Sequence, residues 1–135
     1  MRPATGQTWW CLMPTVSTEA MSQALGAFAV DEGIDATHRV ALVLDGAGWH
    51  TGAGLHLPDG IDLIRLPPVS PELQPAERLW SLIDEPVVNR HFATLDELEA
   101  VLVQRCRTLR ADPVTIKAHT HFHWWPDEPP VSIPD

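Results

Sequence analysis

Two acidic residues, Asp45 and Glu77, occupy positions where carboxylates commonly take part in chemistry. Asp45 directly follows the apolar run of residues 40–44, which predicts a buried strand. Open α/β sheets place their sites at the carboxyl ends of such strands. Glu77 comes two residues after Pro75 and is predicted to lie in the first turn of a helix. Because carboxylate oxygens suit Mg²⁺ and Mn²⁺, the two residues could hold a divalent metal ion if the fold brings them together.

Each of these residues also has an ordinary explanation when it is taken alone. Asp45 could cap a helix or stabilise a turn, and Glu77 could be one of the acidic residues that favour helix starts. His50 could orient Asp45, contact a phosphate or pack beside Trp49. We favour packing or a hydrogen bond to Asp45 over a direct part for His50 in a reaction.

The residues around the two carboxylates form an ordered pattern. Asp45 is followed by Ala47 and His50, and Glu77 lies within a proline-guided block whose members are Pro68, Ser70, Pro71, Leu73, Pro75, Glu77, Leu79 and Trp80. This pattern resembles the DDE endonuclease domain of insertion-sequence transposases of the IS630 and Tc1/mariner type. The resemblance implies an α/β, RNase H-like fold, with a mixed sheet flanked by helices. It also implies metal-dependent DNA strand cleavage and transfer, with Asp45 and Glu77 as catalytic ligands of Mg²⁺ or Mn²⁺.

The sequence departs from the family pattern in two ways. Gly46, Gln74, Ala76 and Arg78 stand where the family commonly shows Asn, Asn, Ile and His. The family also has a third carboxylate on an earlier strand, and the acids before Asp45 are predicted on a helix or loop: Glu19, Asp31, Glu32 and Asp35. We therefore expect a partial domain over residues 1–126, truncated at its N-terminal side and inactive alone, followed by an acidic, proline-rich tail over residues 127–135.

Composition limits the partners that the chain is expected to bind. The net charge is −9 and the nine basic residues are scattered, which argues against a stand-alone nucleic-acid binder. DNA, at transposon ends, would be held through N-terminal modules that are missing here. The alternative is a non-catalytic interaction module, a truncated RNase H-like domain that forms a homodimer or pairs with another transposase chain through an open sheet edge.

The cysteines and the apolar segments of the sequence indicate the cellular compartment in which the chain is expected. Cys11 and Cys106 lie far apart in apolar segments, which favours buried, reduced thiols and a cytoplasmic location. Residues 1–20 do not form a signal peptide, because Pro14 interrupts them and basic flanking residues are few. No segment approaches the ~20 apolar residues of a spanning helix, so no membrane partner is expected.

Several further elements are predicted from local signals. Residues 8–13 and 61–66 are predicted strands, and Ser17 is predicted to cap a helix that ends at Gly33. Thr94 is predicted to begin a second helix with a capping box and a core-facing stripe as far as Arg110. That stripe comprises Leu95, Leu98, Val101, Leu102, Arg105, Cys106 and Leu109.

Three histidines alternate near the end of the chain, at positions 119, 121 and 123. A strand would place His119, His121 and His123 on one face, where neutral imidazoles could bind zinc. No fourth ligand accompanies them in the sequence. We therefore predict that they do not form a structural metal site, and that the aromatic residues between them pack this segment onto the domain.

Overall fold

The computed structural model describes residues 1–46 and 54–124. The chain divides into two compact units, a sheet unit of residues 11–74 and a helical unit of residues 1–10 together with residues from Pro75 onward. The elements in chain order are α1 (Thr18–Asp31), β1 (Val40–Leu44), β2 (Ile61–Arg65), α2 (Leu79–Asp84), α3 (Leu95–Arg110) and α4 (Pro113–Thr120). Short 3₁₀ turns occur at Pro71–Leu73 and Pro75–Arg78. Helices and a small sheet are both present, so the predicted α/β class is confirmed.

The sheet of the sheet unit consists, within the described residues, of β1 and β2 paired in parallel, with Val40 opposite Ile61. Both strands were expected, and β2 ends one residue earlier than predicted. The expectation that β1 is a buried strand is wrong, because Ala41 is exposed and the other four residues are half-buried. Ile64 on β2 is also 50% exposed. Five apolar residues in a row therefore form a strand that is only half-buried here.

Helix α1 begins and ends as its sequence predicts. The Ser17 hydroxyl accepts a hydrogen bond from the Ala20 backbone N–H at 3.0 Å. At the other end, Gly33 has a φ of 63° and the Ile34 N–H donates to the Ala29 carbonyl at 2.8 Å. This Schellman-type ending turns the chain so that Ile34 joins the core of the sheet unit, which consists of Leu25, Ala29, Ile34 and Ile61.

Asp35 organises the loop between α1 and β1. Its Oδ1 accepts hydrogen bonds from the Thr37 N–H and hydroxyl, both at 2.7 Å, and from the His38 N–H at 2.9 Å. The Thr37 hydroxyl, followed by the two backbone donors, lowers the pKa of the Asp35 carboxyl below its usual value. These hydrogen bonds therefore fix the conformation of the loop that leads into β1.

The core of the helical unit is formed by α2, α3 and α4, through Leu79, Ile83, Leu109 and Ile116. Ile116 is fully buried. These contacts fix α2, and with it the end of the proline-guided block, against the longest helix of this unit.

Helix α3 begins with the predicted capping box, slightly altered. The Thr94 hydroxyl accepts from the Glu97 N–H at 3.2 Å, and the Glu97 carboxylate accepts from the Ala93 N–H at 2.9 Å. Cys106 and Leu109 are buried as expected, but Leu95 is 80% exposed. The stripe therefore faces the core only from the second turn of α3 onward.

The predicted strand at residues 8–13 is wrong. Trp10 instead packs against the core of the helical unit, and its indole N–H donates to the Thr8 hydroxyl at 2.9 Å. Residues 11–16 are exposed and have no regular structure, so Cys11 is exposed as well. Trp10 therefore packs on the helices from a segment without regular structure. An apolar, aromatic run in the sequence does not distinguish such a segment from a strand.

The histidine run does not form a strand either. Asp112 caps α4 through the Thr115 N–H at 3.0 Å, and Pro113 occupies its first turn. Asp112 and Pro113 therefore begin a new helix that extends through His119 to Thr120. None of the helices in the described ranges combines the length and apolar character needed to cross a bilayer.

Candidate functional site

Asp45 lies directly after β1 and is half-buried. Because β1 and β2 are parallel, their carboxyl ends lie at the same edge of the sheet. The Leu66 N–H donates to the Leu44 carbonyl at 2.9 Å, which extends the pairing to this edge. The proline-guided block therefore leaves the sheet beside the residue that precedes Asp45.

Glu77 lies in the 3₁₀ turn Pro75–Arg78 that leads directly into α2, as its predicted place in a first helical turn requires. Pro75 is buried and Glu77 is half-buried. Leu79 is buried, whereas its neighbour Trp80 is 54% exposed although it is apolar. The buried Pro75 and Leu79 therefore hold this turn in place, while the Glu77 side chain is partly accessible to solvent.

The two carboxylates belong to different units of the chain, Asp45 to the sheet unit and Glu77 to the helical unit. Their approach to one another stays a prediction. His50 lies within residues 47–53, outside the described residues. Among residues 1–46 and 54–124, no three His, Cys, Asp or Glu side chains gather into a group suited to a metal ion.

An aromatic and cationic stack lies beside Glu77 in the chain. The guanidinium carbon of Arg78 is 4.0 Å from the centroid of the Phe122 ring. Trp124 stacks on the same ring, with centroids 5.1 Å apart and an interplanar angle of 12°. No sequence pattern pointed to this contact, although Arg78 departs from the family pattern. The expectation that aromatic residues pack this segment is confirmed for Phe122, which is buried.

Two other residues, His119 and Cys106, carry side chains that could take part in a reaction. A structural role explains the surroundings of each. The Nε2 of His119 is 3.1 Å from the Ser81 hydroxyl, which links α4 to α2. Burial raises the pKa of the Cys106 thiol, so this thiol stays protonated and unreactive near neutral pH. Cys106 is therefore a structural residue of the helical unit.

Comparison with known proteins identifies the family. Residues 2–99 match the model of the DDE superfamily endonuclease family, whose members generally use divalent metal ions. A relative from Sinorhizobium fredii (strain NBRC 101917 / NGR234), the uncharacterized protein y4pE/y4sA, is 39% identical over 99 residues, which cover 71% of this chain and 70% of the relative. No solved structure matches the chain. The match over most of its length shows that this chain belongs to the DDE superfamily of endonucleases.

Proposed function

We propose that this chain contributes Asp45 and Glu77 to the metal site of a DNA-cleaving and strand-transferring transposase of the IS630 and Tc1/mariner type, with an RNase H-like sheet. The observation that carries the proposal is the position of Asp45 after a strand whose parallel neighbour leads, at the same sheet edge, into the block that contains Glu77. If Asp45 only stabilised a turn, there would be no reason for the proline-guided block to follow the neighbouring strand.

The donor atoms fit the proposed ions. Both side chains are half-buried carboxylates, and hard oxygen ligands suit Mg²⁺ or Mn²⁺. Bound ions of this kind lower the pKa of water and stabilise charge on a phosphate in the transition state. Asp45 and Glu77 would hold the ions, while the buried Pro75 and Leu79 keep the Glu77 turn in place. His50 would orient Asp45.

The third carboxylate of the site is proposed to come from an upstream segment or from a second chain. Glu19 and Asp31 lie on α1 and Glu32 caps it, while the Asp35 carboxylate already accepts three hydrogen bonds in its loop. None of them follows a strand that neighbours β1 in the described sheet. We therefore propose that the 135-residue chain alone does not cleave DNA.

Binding of Mn²⁺ to the purified chain tests the proposed site. We expect weak binding, because two carboxylates alone leave most coordination positions to water. Asp45→Asn and Glu77→Gln should each weaken binding at least about tenfold, since even outer-shell partners of a metal are worth about 10–100-fold. Isothermal titration calorimetry, or the loss of the free Mn²⁺ electron paramagnetic resonance signal, measures the affinity.

Two acidic residues provide matched controls for this titration. Asp59 lies in the turn before β2, and Glu72 lies in the 3₁₀ turn Pro71–Leu73. Asp59→Asn and Glu72→Gln remove the same charge and should leave Mn²⁺ binding unchanged. Equal effects of all four substitutions would mean that the ion responds to net charge and not to a site, which would contradict the proposal.

A second candidate function is a non-catalytic module that pairs with itself or with another transposase chain. The observation in its favour is that β1 and β2 pair only with each other in the described part of the chain, so each presents an open edge. Metal-independent dimerisation, together with unchanged Mn²⁺ binding in Asp45→Asn and Glu77→Gln, would favour this function over the first.

A further inference from the structure

Residues 113–124, which we call the α4 segment, pack on the elements that carry and follow Glu77. The segment lies after the last residue of the family match. Within the helical unit, α4 contacts the 3₁₀ turn Pro75–Arg78 and α2. The fully buried Ile116 of α4 belongs to the same core as Leu79, the first residue of α2. A segment outside the family match therefore supports the turn that contains Glu77.

Phe122 holds the side chain of Arg78, the residue next to Glu77. The guanidinium carbon of Arg78 is 4.0 Å from the centroid of the Phe122 ring, well within the ~6 Å over which an aromatic ring attracts a cation. Phe122 itself is buried, and Trp124 stacks on its ring. Because this attraction is worth about 0.5–2 kcal/mol and grows with desolvation, Phe122 restrains the Arg78 side chain.

His119 holds the backbone of the same residue. The Ser81 hydroxyl donates a hydrogen bond to the Arg78 carbonyl at 3.0 Å, and the Nε2 of His119 lies 3.1 Å from the Ser81 oxygen. A hydroxyl has one proton, so Nε2 carries the proton that links the imidazole to the Ser81 oxygen. The α4 segment therefore restrains Arg78 twice, directly at its side chain and through Ser81 at its carbonyl.

We propose that Phe122 and His119 are positioning residues for Glu77, so that the α4 segment determines how tightly the Glu77 carboxylate holds a metal ion. A ligand whose backbone is already fixed loses less conformational entropy when it binds an ion, and therefore binds it more tightly. Groups that only support metal ligands commonly change metal affinity about 10–100-fold. The inference rests on the proposed function, which makes Glu77 a metal ligand.

A second Arg–Phe pair in the helical unit provides a comparison. The guanidinium carbon of Arg90 is 5.4 Å from the centroid of the Phe92 ring, and its Nη1 donates to the Pro86 carbonyl at 3.0 Å. Neither residue adjoins Glu77 in the chain. If such pairs only stabilised the helical unit, loss of either ring would have the same effect on metal binding. A positioning role instead gives Phe122 an effect that Phe92 lacks.

Titration of the purified chain with Mn²⁺ is the first test. Phe122→Leu, which keeps apolar bulk but removes the ring, should weaken Mn²⁺ binding about tenfold, and Phe122→Tyr, which keeps the ring, should stay within about threefold of wild type. Phe92→Leu, the matched control, should stay within about twofold. In a Glu77→Gln background, Phe122→Leu should cause no further loss, because its effect passes through Glu77.

The hydrogen-bonded link is tested in the same titration. His119→Ala should weaken Mn²⁺ binding about three- to tenfold, whereas His119→Gln, which keeps an N–H donor, should lose less. His123→Ala is the matched control, because His123 is an exposed residue of the same segment. Equal losses in His119→Ala and His123→Ala would mean that the ion binds to the histidines themselves, which would contradict the role given to His119.

Arg78→Gln provides a variant at an exposed position, in case Phe122→Leu does not fold. Removal of a positive charge beside a metal ligand by itself strengthens the binding of a cation, whereas loss of the contact with Phe122 weakens it. We therefore expect Arg78→Gln to bind Mn²⁺ several-fold more weakly than wild type. Arg90→Gln removes the same charge and should not weaken binding; equal losses in the two variants would contradict the positioning role.

Trypsin digestion in EDTA measures the restraint on Arg78 without any metal ion. Cleavage after Arg78 requires its side chain to leave Phe122 and enter the protease, so the cleavage rate reports local opening of the turn. Phe122→Leu should speed cleavage after Arg78 about five- to tenfold relative to cleavage after Arg65, which lies in β2 of the sheet unit. An unchanged rate would overturn the proposal whatever the affinity for Mn²⁺.

The titration separates failure of this inference from failure of the proposed function. Wild-type affinity in Glu77→Gln would remove the metal site itself, and with it any positioning of a metal ligand. Loss of binding in Glu77→Gln together with wild-type affinity in Phe122→Leu would overturn the positioning role alone. Equal losses in Phe122→Leu and Phe92→Leu, or a further loss from Phe122→Leu in the Glu77→Gln background, would overturn it too.

Discussion

Asp45→Asn and Glu77→Gln are each expected to slow metal-dependent DNA nicking at least about a thousandfold in a reaction where a third carboxylate is supplied. The reason is that a metal ion contributes several kcal/mol to stabilising a phosphoryl transition state, and about 4 kcal/mol corresponds to a thousandfold in rate. An amide keeps the shape of either side chain but removes the charge that holds a hard cation. The loss should therefore appear without unfolding.

The assay joins the chain with an upstream segment from a related transposase that carries a strand ending in Asp, fused in cis or added as a second chain. Nicking of transposon-end DNA is followed on a denaturing gel in the presence of Mn²⁺ or Mg²⁺. The chain alone should give no product, and Asp59→Asn and Glu72→Gln should behave as wild type in the joined reaction. Robust nicking by the 135-residue chain alone, abolished by Asp45→Asn, would show that it already contains the third ligand.

Gly60→Ala is expected to destabilise the sheet unit by about 2–5 kcal/mol. Gly60 has a φ of 89°, and a Cβ built there would lie 2.2 Å from the Asp35 carbonyl oxygen. The left-handed backbone costs roughly 1–2 kcal/mol for an alanine, and displacing the Asp35 backbone adds about 1–3 kcal/mol. Against a typical total of about 5–15 kcal/mol, this is a large loss. Urea denaturation of the purified variant measures it.

Substitutions at two other glycines of the sheet unit distinguish the cost of the left-handed backbone from the cost of displacing the Asp35 backbone. Gly33 has a φ of 63° but nothing within 4 Å of an added Cβ, so Gly33→Ala should cost only about 1–2 kcal/mol. Gly26 lies inside α1 with open space around it, so Gly26→Ala should stabilise by roughly 0.5–1 kcal/mol. A Gly60→Ala variant as stable as Gly33→Ala would show that the loop around Asp35 moves away easily.

Local signals were sufficient for the parts of the fold that depend on local contacts. The Ser17 cap, the glycine ending of α1 and the Thr94 cap each involve residues within a few positions of one another, so their side-chain chemistry alone specifies them. The apolar runs of β1 and β2 predicted strands for the same reason. The placement of Asp45 after β1 and of Glu77 in a first turn followed directly from these elements.

Features decided by distant contacts were not predictable in this way. The aromatic segment around Trp10 was predicted to be a strand, but Trp10 packs against helices far along the chain and the segment has no regular structure. The histidines alternate along the sequence, which suits a strand. However, the Asp112 cap, Pro113 and the buried Ile116 favour a helix, so His119 lies in α4. Trp80 fits the apolar spacing of α2, but the neighbouring helices leave it exposed.

The candidate site shows the same division. The sequence was enough to propose Asp45 and Glu77 as candidates, because their spacing and the proline-rich approach to Glu77 are properties of the sequence. The contact of Arg78 with Phe122 joins two segments that are far apart along the chain, and no periodicity links them. Such a contact is found only once α2 and the end of the chain are placed in space.

A crystal structure of the chain soaked with Mn²⁺, with the ion located by its anomalous scattering, would show directly whether Asp45 and Glu77 share a metal ion. We expect a peak that lies about 2 Å from a carboxylate oxygen of Asp45 and about 2 Å from one of Glu77, with water in the remaining coordination positions. Carboxylates of Asp45 and Glu77 on opposite faces of the molecule, with no shared ion, would contradict this expectation.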